Sequence, residues 1–508
     1  MNTTANANLF SRLFDTLDDP NRLAIEMLDG TRISYGELIA RAGQMANVLV
    51  ARGVKPGDRV AAQTEKSVPA LILYLATVRA GGVYLPLNTA YTLNELDYFI
   101  SDAEPALVVC DPSKADGIGA IAAKVRARVE TLGADGKGSL TDAAAKADAA
   151  FATVSRANDD LAAILYTSGT TGRSKGAMLT HDNLASNSYS LVDYWRFTDK
   201  DVLIHALPIY HTHGLFVASN VTLFARASMI FLPKFDPEMI IKLMARATVM
   251  MGVPTFYTRL LQSPSLTKES TKHMRLFISG SAPLLADTHR EWAARTGHAV
   301  LERYGMTETN MNTSNPYDGE RVPGAVGHPL PGVSVRVTDP ETGKEIARDE
   351  IGMIEVKGPN VFKGYWRMPE KTKSEFRDDG FFITGDLGKI DAKGYVHILG
   401  RGKDLVISGG FNVYPKEIES EIDAMPGVIE SAVIGVPHAD FGEGVTAVVV
   451  CNKGTDVTEA GVLKALDGRL AKFKMPKRVF VVDELPRNAM GKVQKNILRD
   501  TYKTIYTK

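Results

Sequence analysis

The stretch LAAILYTSGTTGRSKGAML, residues 161–179, decides how this chain is read. It opens on a short apolar run of the kind that forms a buried strand. From Tyr166 onward it holds three glycines, five serines and threonines, an arginine and a lysine. A strand feeding such a loop turns backbone N–H groups and hydroxyls toward one point, which suits phosphate oxygens. Gly169 and Gly172 are separated by two residues and Lys175 follows three later, which is neither the Walker spacing G-x-x-x-x-G-K-[ST] nor the Rossmann G-x-G-x-x-G. On spacing alone the loop is a phosphate cradle of undefined type or an ordinary flexible turn.

Working outward, apolar runs of similar length recur: RVAAQ, ALVVCD, VLIHALP, SMIFLP, VMMGVP and RLFISG. They alternate with helix-like stretches such as VPALILYLATVRAG and the segment that starts at Thr180, a natural N-cap. This alternation predicts an α/β fold with parallel strands buried on both faces. Beyond about Val322, glycine and proline recur at close intervals, which reads as a β-rich subdomain over roughly 322–400. After GRGKDLV a helix, a strand, a second strand, a helix and a third strand close the chain as a small α+β domain. The stretch TDAAAKADAAFA reads as a surface helix.

The chain has 508 residues, more than one simple core accommodates, since domains typically run to about 100–200 residues. Its 59 basic residues balance 59 acidic ones, so no charge footprint points to nucleic acid or to an anionic membrane, and a small-molecule partner is expected. Only two cysteines occur, both in valine-rich runs, which excludes a disulfide framework. No apolar stretch approaches the roughly 18 residues of a membrane span, and a cytoplasmic location is expected.

The full string YTSGTTGRSKG resembles the signature of the adenylate-forming superfamily: acyl-CoA synthetases, firefly-type luciferases and peptide-synthetase adenylation domains. Further motifs follow in that family's order: LPIYHTHG (207–214), ISGSAPL (278–284), RYGMTET (303–309), ITGDLG (383–388), GRGKDLVISGGFNVYPKEIE (400–419) and LPRNAMGKVQK (485–495). The resemblance implies activation of a carboxylate at the α-phosphate of ATP, then displacement of AMP by a thiol. It implies Thr167, Ser168, Gly169, Thr170, Thr171 and Lys175 as the β/γ-phosphate cradle, Glu308 as the Mg²⁺ carboxylate and Thr307 on the α-phosphate. Gly280, Ser281, Ala282 and Tyr304 are implied around the adenine, Asp386 on the ribose, and Arg401 on ribose and phosphate. Lys492 would bridge substrate carboxylate and α-phosphate. Lys403 matches the hinge of a mobile C-terminal domain (403–508) that would swing relative to residues 1–402 and bring Gly409 and Gly410 toward CoA.

In the residues that flank these motifs, HALPIYHTHGLF, GVPTFYTRLLQ, FISGSAPLLADTHREW and VLERYGMTETNMNTSNPYDGERVPGAVG resemble malonyl-CoA synthetases more closely than coumarate, acetate or long-chain ligases. Malonate keeps a second carboxylate, which a buried cation must meet. By resemblance Arg290 is expected to be that cation, with His211 at the acyl pocket and thiol gate, Ser281 touching the acyl group, and His213 a packed structural histidine. Methylmalonate is expected as a further substrate, since one methyl group is worth only about 1–3 kcal/mol of discrimination. Ala489 stands where the family often has a basic residue, which bears on recognition of Lys492 by lysine acyltransferases and deacylases. The rival readings are a CoA ligase for another short-chain acid and a catalytically silent nucleotide sensor, the latter expected to have lost Lys492, Glu308 or Asp386.

Overall fold

A computed structural model describes residues 6–167, 174–409, 411–488 and 491–506. All seven apolar runs are strands, and they are divided between two large sheets. Leu161–Thr167, Val83–Pro86, Arg59–Gln63, Leu107–Cys110 and Arg128–Thr131 run parallel in a 7-stranded sheet. Its other edge is antiparallel: Leu161–Thr167 pairs with Lys175–Thr180, which pairs with Gly364–Tyr365. A sheet predicted as wholly parallel is therefore mixed. The reason is local: only the short loop 168–174 joins its two flanking strands, whereas a parallel pair needs a long crossover.

The second sheet is 9-stranded, with Val202–His205, Ser228–Phe231, Val249–Gly252 and Leu276–Ser279 at its centre. Leu301–Met306 continues it in parallel and then turns back antiparallel into Asn310–Ser314. One core spans both sheets, from Leu9 through Tyr74, Leu165 and Leu203 to Phe382. Between them lies the helix Val68–Arg79, nearly all of it buried, with Ser67 capping its N-terminus. Thr180 caps His181–Tyr194 in a reciprocal capping box with Asn183. The alanine-rich stretch is helical only over Ser139–Ala144.

A 4-stranded antiparallel sheet follows, from Ser334–Thr338 to Val396–Arg401. The chain then builds a small α+β unit on the long hairpin Val428–His438 and Gly442–Cys451, with Arg478–Val482 parallel to it. Its two apolar cores contain no residue before Val406. The architecture is thus a large N-terminal part and a small C-terminal domain. No helix among the described residues is long and apolar enough to cross a membrane. Cys110 is buried and Cys451 half-buried, both as free thiols.

Candidate active site

The antiparallel edge places Thr167 opposite Lys175 at the mouth of the glycine-rich loop. Ser168, Gly169, Thr170 and Thr171 lie outside the described residues. Lys175 is buried, its ammonium 3.0 Å from Glu375 and 4.0 Å above the Tyr365 ring. Glu308, just past the strand Leu301–Met306, is buried beside half-buried Thr307. Its Oε1 accepts a long hydrogen bond of 3.4 Å from the Thr167 hydroxyl and lies 3.0 Å from the Tyr365 hydroxyl. Hard oxygen atoms from the Glu308 carboxylate and the Thr167 hydroxyl fit Mg²⁺, which takes most of its remaining ligands from water and nucleotide phosphates.

A second cluster sits on the 4-stranded sheet. Asp386 and Arg401 are cross-strand partners, with Arg401 Nε 2.8 Å from Asp386 Oδ1. Tyr304 donates to Asp386 Oδ2 at 2.5 Å. Burial, and next the Asp386 charge, raise the Tyr304 pKa far above its usual value, so the hydroxyl remains a donor. Gly280, Ser281 and Ala282 leave the strand Leu276–Ser279, and Ser281 adopts a left-handed φ of 72°. Gly280 is obligatory for packing: a Cβ there would lie 2.4 Å from the Arg303 guanidinium carbon.

Arg303 joins these groups without having been expected from the sequence. It is buried, and its Nε and Nη2 have no hydrogen-bond partner. Burial lowers its pKa to about 9. Glu302 is also buried, but successive strand residues point to opposite faces, and its carboxylate accepts from the Gly324 N–H. Burial lowers the pKa of His211 and His213 and holds both neutral, and the Arg303 charge acts in the same direction on each. Ser281 Oγ lies 3.2 Å from His213 Nδ1, and His213 Nε2 has no partner. A π-helix, His213–Ser219, carries this histidine, a geometry common at functional sites. Behind it, buried Lys66 meets His205 Nδ1 at 2.9 Å and the His205 carbonyl at 2.7 Å. The available signal was a Glu-Arg pair inside an otherwise buried strand, a place where charges rarely sit without a partner or a task.

Arg290, the cation expected in the acyl pocket, is not there. It is exposed on the helix Ala286–Thr296 and pairs with Asp287, both side chains 62% exposed. The helical spacing turns it toward water, while Thr288, His289 and Trp292 face the core.

From the C-terminal domain, Lys492 brings its ammonium among these groups. Burial lowers its pKa, Arg401 and Arg303 lower it further, and Asp386 and Glu308 oppose them. It is also the second cause, after burial, that pushes His211 down to about 3. The residue as a whole is exposed, and its carbonyl accepts from Asn488 N–H at 2.9 Å. Lys403 lies in the short 3₁₀ turn Gly402–Asp404, directly after the strand that ends at Arg401. Gly409, at φ 60°, forms an exposed turn. Gly410 and Ala489 lie outside the described residues.

The chain is similar to known proteins along nearly its whole length. The AMP-binding enzyme family matches residues 16–366, and the AMP-binding enzyme C-terminal domain matches residues 417–492. A malonate–CoA ligase of Arabidopsis thaliana is 36% identical over 527 aligned positions, covering 94% of this chain and 86% of that one. The crystal structure of ATP-bound MatB from Rhodopseudomonas palustris is 83% identical and superposes with a TM-score of 0.98, covering 99% of this chain and 100% of that one. The apo structure of the same protein, with equal identity and coverage of 99% and 100%, superposes with a TM-score of 0.86.

Proposed function

Because the chain belongs to the AMP-binding enzyme family, we propose that it is an ATP-dependent acid–thiol ligase joining malonate to coenzyme A, through a malonyl-adenylate, with release of pyrophosphate and AMP. The names of its relatives support this reading. The observation that carries the substrate is Arg303, a buried guanidinium with two unpartnered nitrogens beside the histidine pair. A planar fork suits bidentate capture of the carboxylate that does not react. Methylmalonate belongs to the same proposal.

A carboxylate is already an anion at neutral pH, so its attack on the α-phosphate needs no general base. What it needs is cations that remove the repulsion between two anions, placed in advance. Lys492 supplies one between the carboxylate and the α-phosphate, Thr307 donates to the α-phosphate, and Lys175 with Thr167, Ser168, Gly169, Thr170 and Thr171 takes the departing pyrophosphate. Mg²⁺, when held by Glu308, neutralises phosphate charge. Gly280, Ser281, Ala282 and Tyr304 flank the adenine, and Asp386 and Arg401 hold the ribose.

For the second half-reaction, residues 403–508 turn about Lys403, withdraw Lys492 and bring Gly409 and Gly410 toward the CoA thiol. Withdrawal also removes one of the charges that depress His211, which returns basicity to the imidazole at the thiol gate when a proton acceptor is wanted. Lysine acyltransferases and deacylases would act on Lys492 in that withdrawn position.

The test is AMP release with ATP, Mg²⁺ and CoA across mono- and dicarboxylic acids. Arg303→Met is expected to lower kcat/KM for malonate by on the order of 10²–10³, the cost of leaving a buried charge unpaired, and to spare butyrate. Arg290→Ala should leave malonate selectivity unchanged. Equal loss on both acids in Arg303→Met would overturn the assignment.

A further inference from the structure

Glu375 is used by none of the steps above, yet it touches Lys175 and reaches Glu308 through Tyr365. It follows the short helix Pro369–Ser374, which places it against the phosphate-loop edge. Its Oε1 lies 3.0 Å from Lys175 Nζ and 2.7 Å from Lys371 Nζ, and its Oε2 is 2.6 Å from the Tyr365 hydroxyl. That hydroxyl is also 3.0 Å from Glu308 Oε1. A phenol has a single proton, so it can donate to one of the two carboxylates and not to both. The shorter contact and the two lysines that fix Glu375 decide which one.

We propose that Glu375 is a positioning residue for the nucleotide-bound cation: by taking the only Tyr365 proton it leaves one Glu308 Oε1 lone pair, beside the one facing Thr167, open to the metal. Tyr365 then meets Glu308 with a lone pair, a repulsion that cation charge held by the carboxylate would relieve. The inference rests on Glu308 as the cation carboxylate of the adenylation step and is independent of which acid is activated. The same contacts make Glu375 a counter-charge that keeps Lys175 in place before the triphosphate enters.

The single phenol proton can be followed by a readout that a merely structural role would not move. In Glu375→Gln the amide can donate to the phenol oxygen, which sends the Tyr365 proton to Glu308. Mn²⁺ binding to the protein with a non-hydrolysable ATP analogue, read by electron paramagnetic resonance, should weaken by on the order of tenfold, the worth of a hydrogen bond to a charged group. Removing the phenol proton in the double variant Glu375→Gln/Tyr365→Phe should bring Mn²⁺ affinity back to within about twofold of the parent. Thioester formation from supplied malonyl-adenylate should be unchanged in both. Weakened binding that persists in the double variant would mean that the charge of Glu375 matters and not the proton, and it would overturn the proposal, as would native affinity in Glu375→Gln. If the native protein binds no Mn²⁺ with the analogue, the Glu308 assignment itself fails.

Discussion

Glu302 and Arg303 are neighbours in sequence and strangers in space. Strand alternation gives one carboxylate to a backbone N–H and one guanidinium to the side of the histidine pair. Each shows what burial does to a lone charge, because Arg303 is pushed down to about 9 and Glu302 up to about 8. For Glu302 the folded protein keeps a proton that the unfolded chain has released. The unfolded state therefore binds fewer protons, and stability present below about pH 4.5 is lost as pH rises toward about 8. Glu302→Gln cannot ionise, so its denaturation midpoint should exceed the native one at about pH 8.5 and match it near about pH 5. Parallel pH profiles for the two proteins would contradict this. Both residues stand in the quoted motif LERYGMTE, yet nothing in the string says which of its charges is buried without a partner.

Among the elements, the helix Ala286–Thr296 shows how local patterning and site placement meet. It carries Arg290 on its wet face and Trp292 on its dry one. The Trp292 ring lies 4.9 Å from Tyr257 and 5.0 Å from Phe277, both at edge-to-face angles, beneath the strand that delivers Gly280 and Ser281. Trp292→Ala is expected to cost about 3–5 kcal/mol, read as a lower urea midpoint at unchanged slope. A change under about 1 kcal/mol would mean that the cavity collapses. Elements of this kind were largely legible: the seven apolar runs became strands, and Thr180 became a cap. The antiparallel edge at the glycine-rich loop was not, because an apolar run carries no sign of its partner's direction. The π-helix at His213 was equally hidden, since an α-helix and a π-helix ask for the same apolar residues.

At the scale of the whole molecule, the C-terminal domain stands where Lys492 reaches Glu308, Asp386 and Arg401, and the arrangement superposes more closely on the ATP-bound than on the apo MatB structure. Lys492→Ala should therefore abolish most pyrophosphate release while leaving thioester formation from supplied malonyl-adenylate within a few-fold of native. Lys403→Pro, which restricts the turn between the domains, should separate the same two half-reactions in stopped-flow measurements. Equal loss of both steps in either variant would count against domain alternation. The chemistry and most of the elements could be read from the chain alone, because motif order records reactive groups and residue periodicity records which face is apolar. Which arginine is buried, and to what Glu375 is tied, follows from the folded arrangement. Burial depends on neighbours from distant stretches: Arg303 is enclosed by residues near 211, 257 and 280, and Glu375 meets Lys175 across 200 positions.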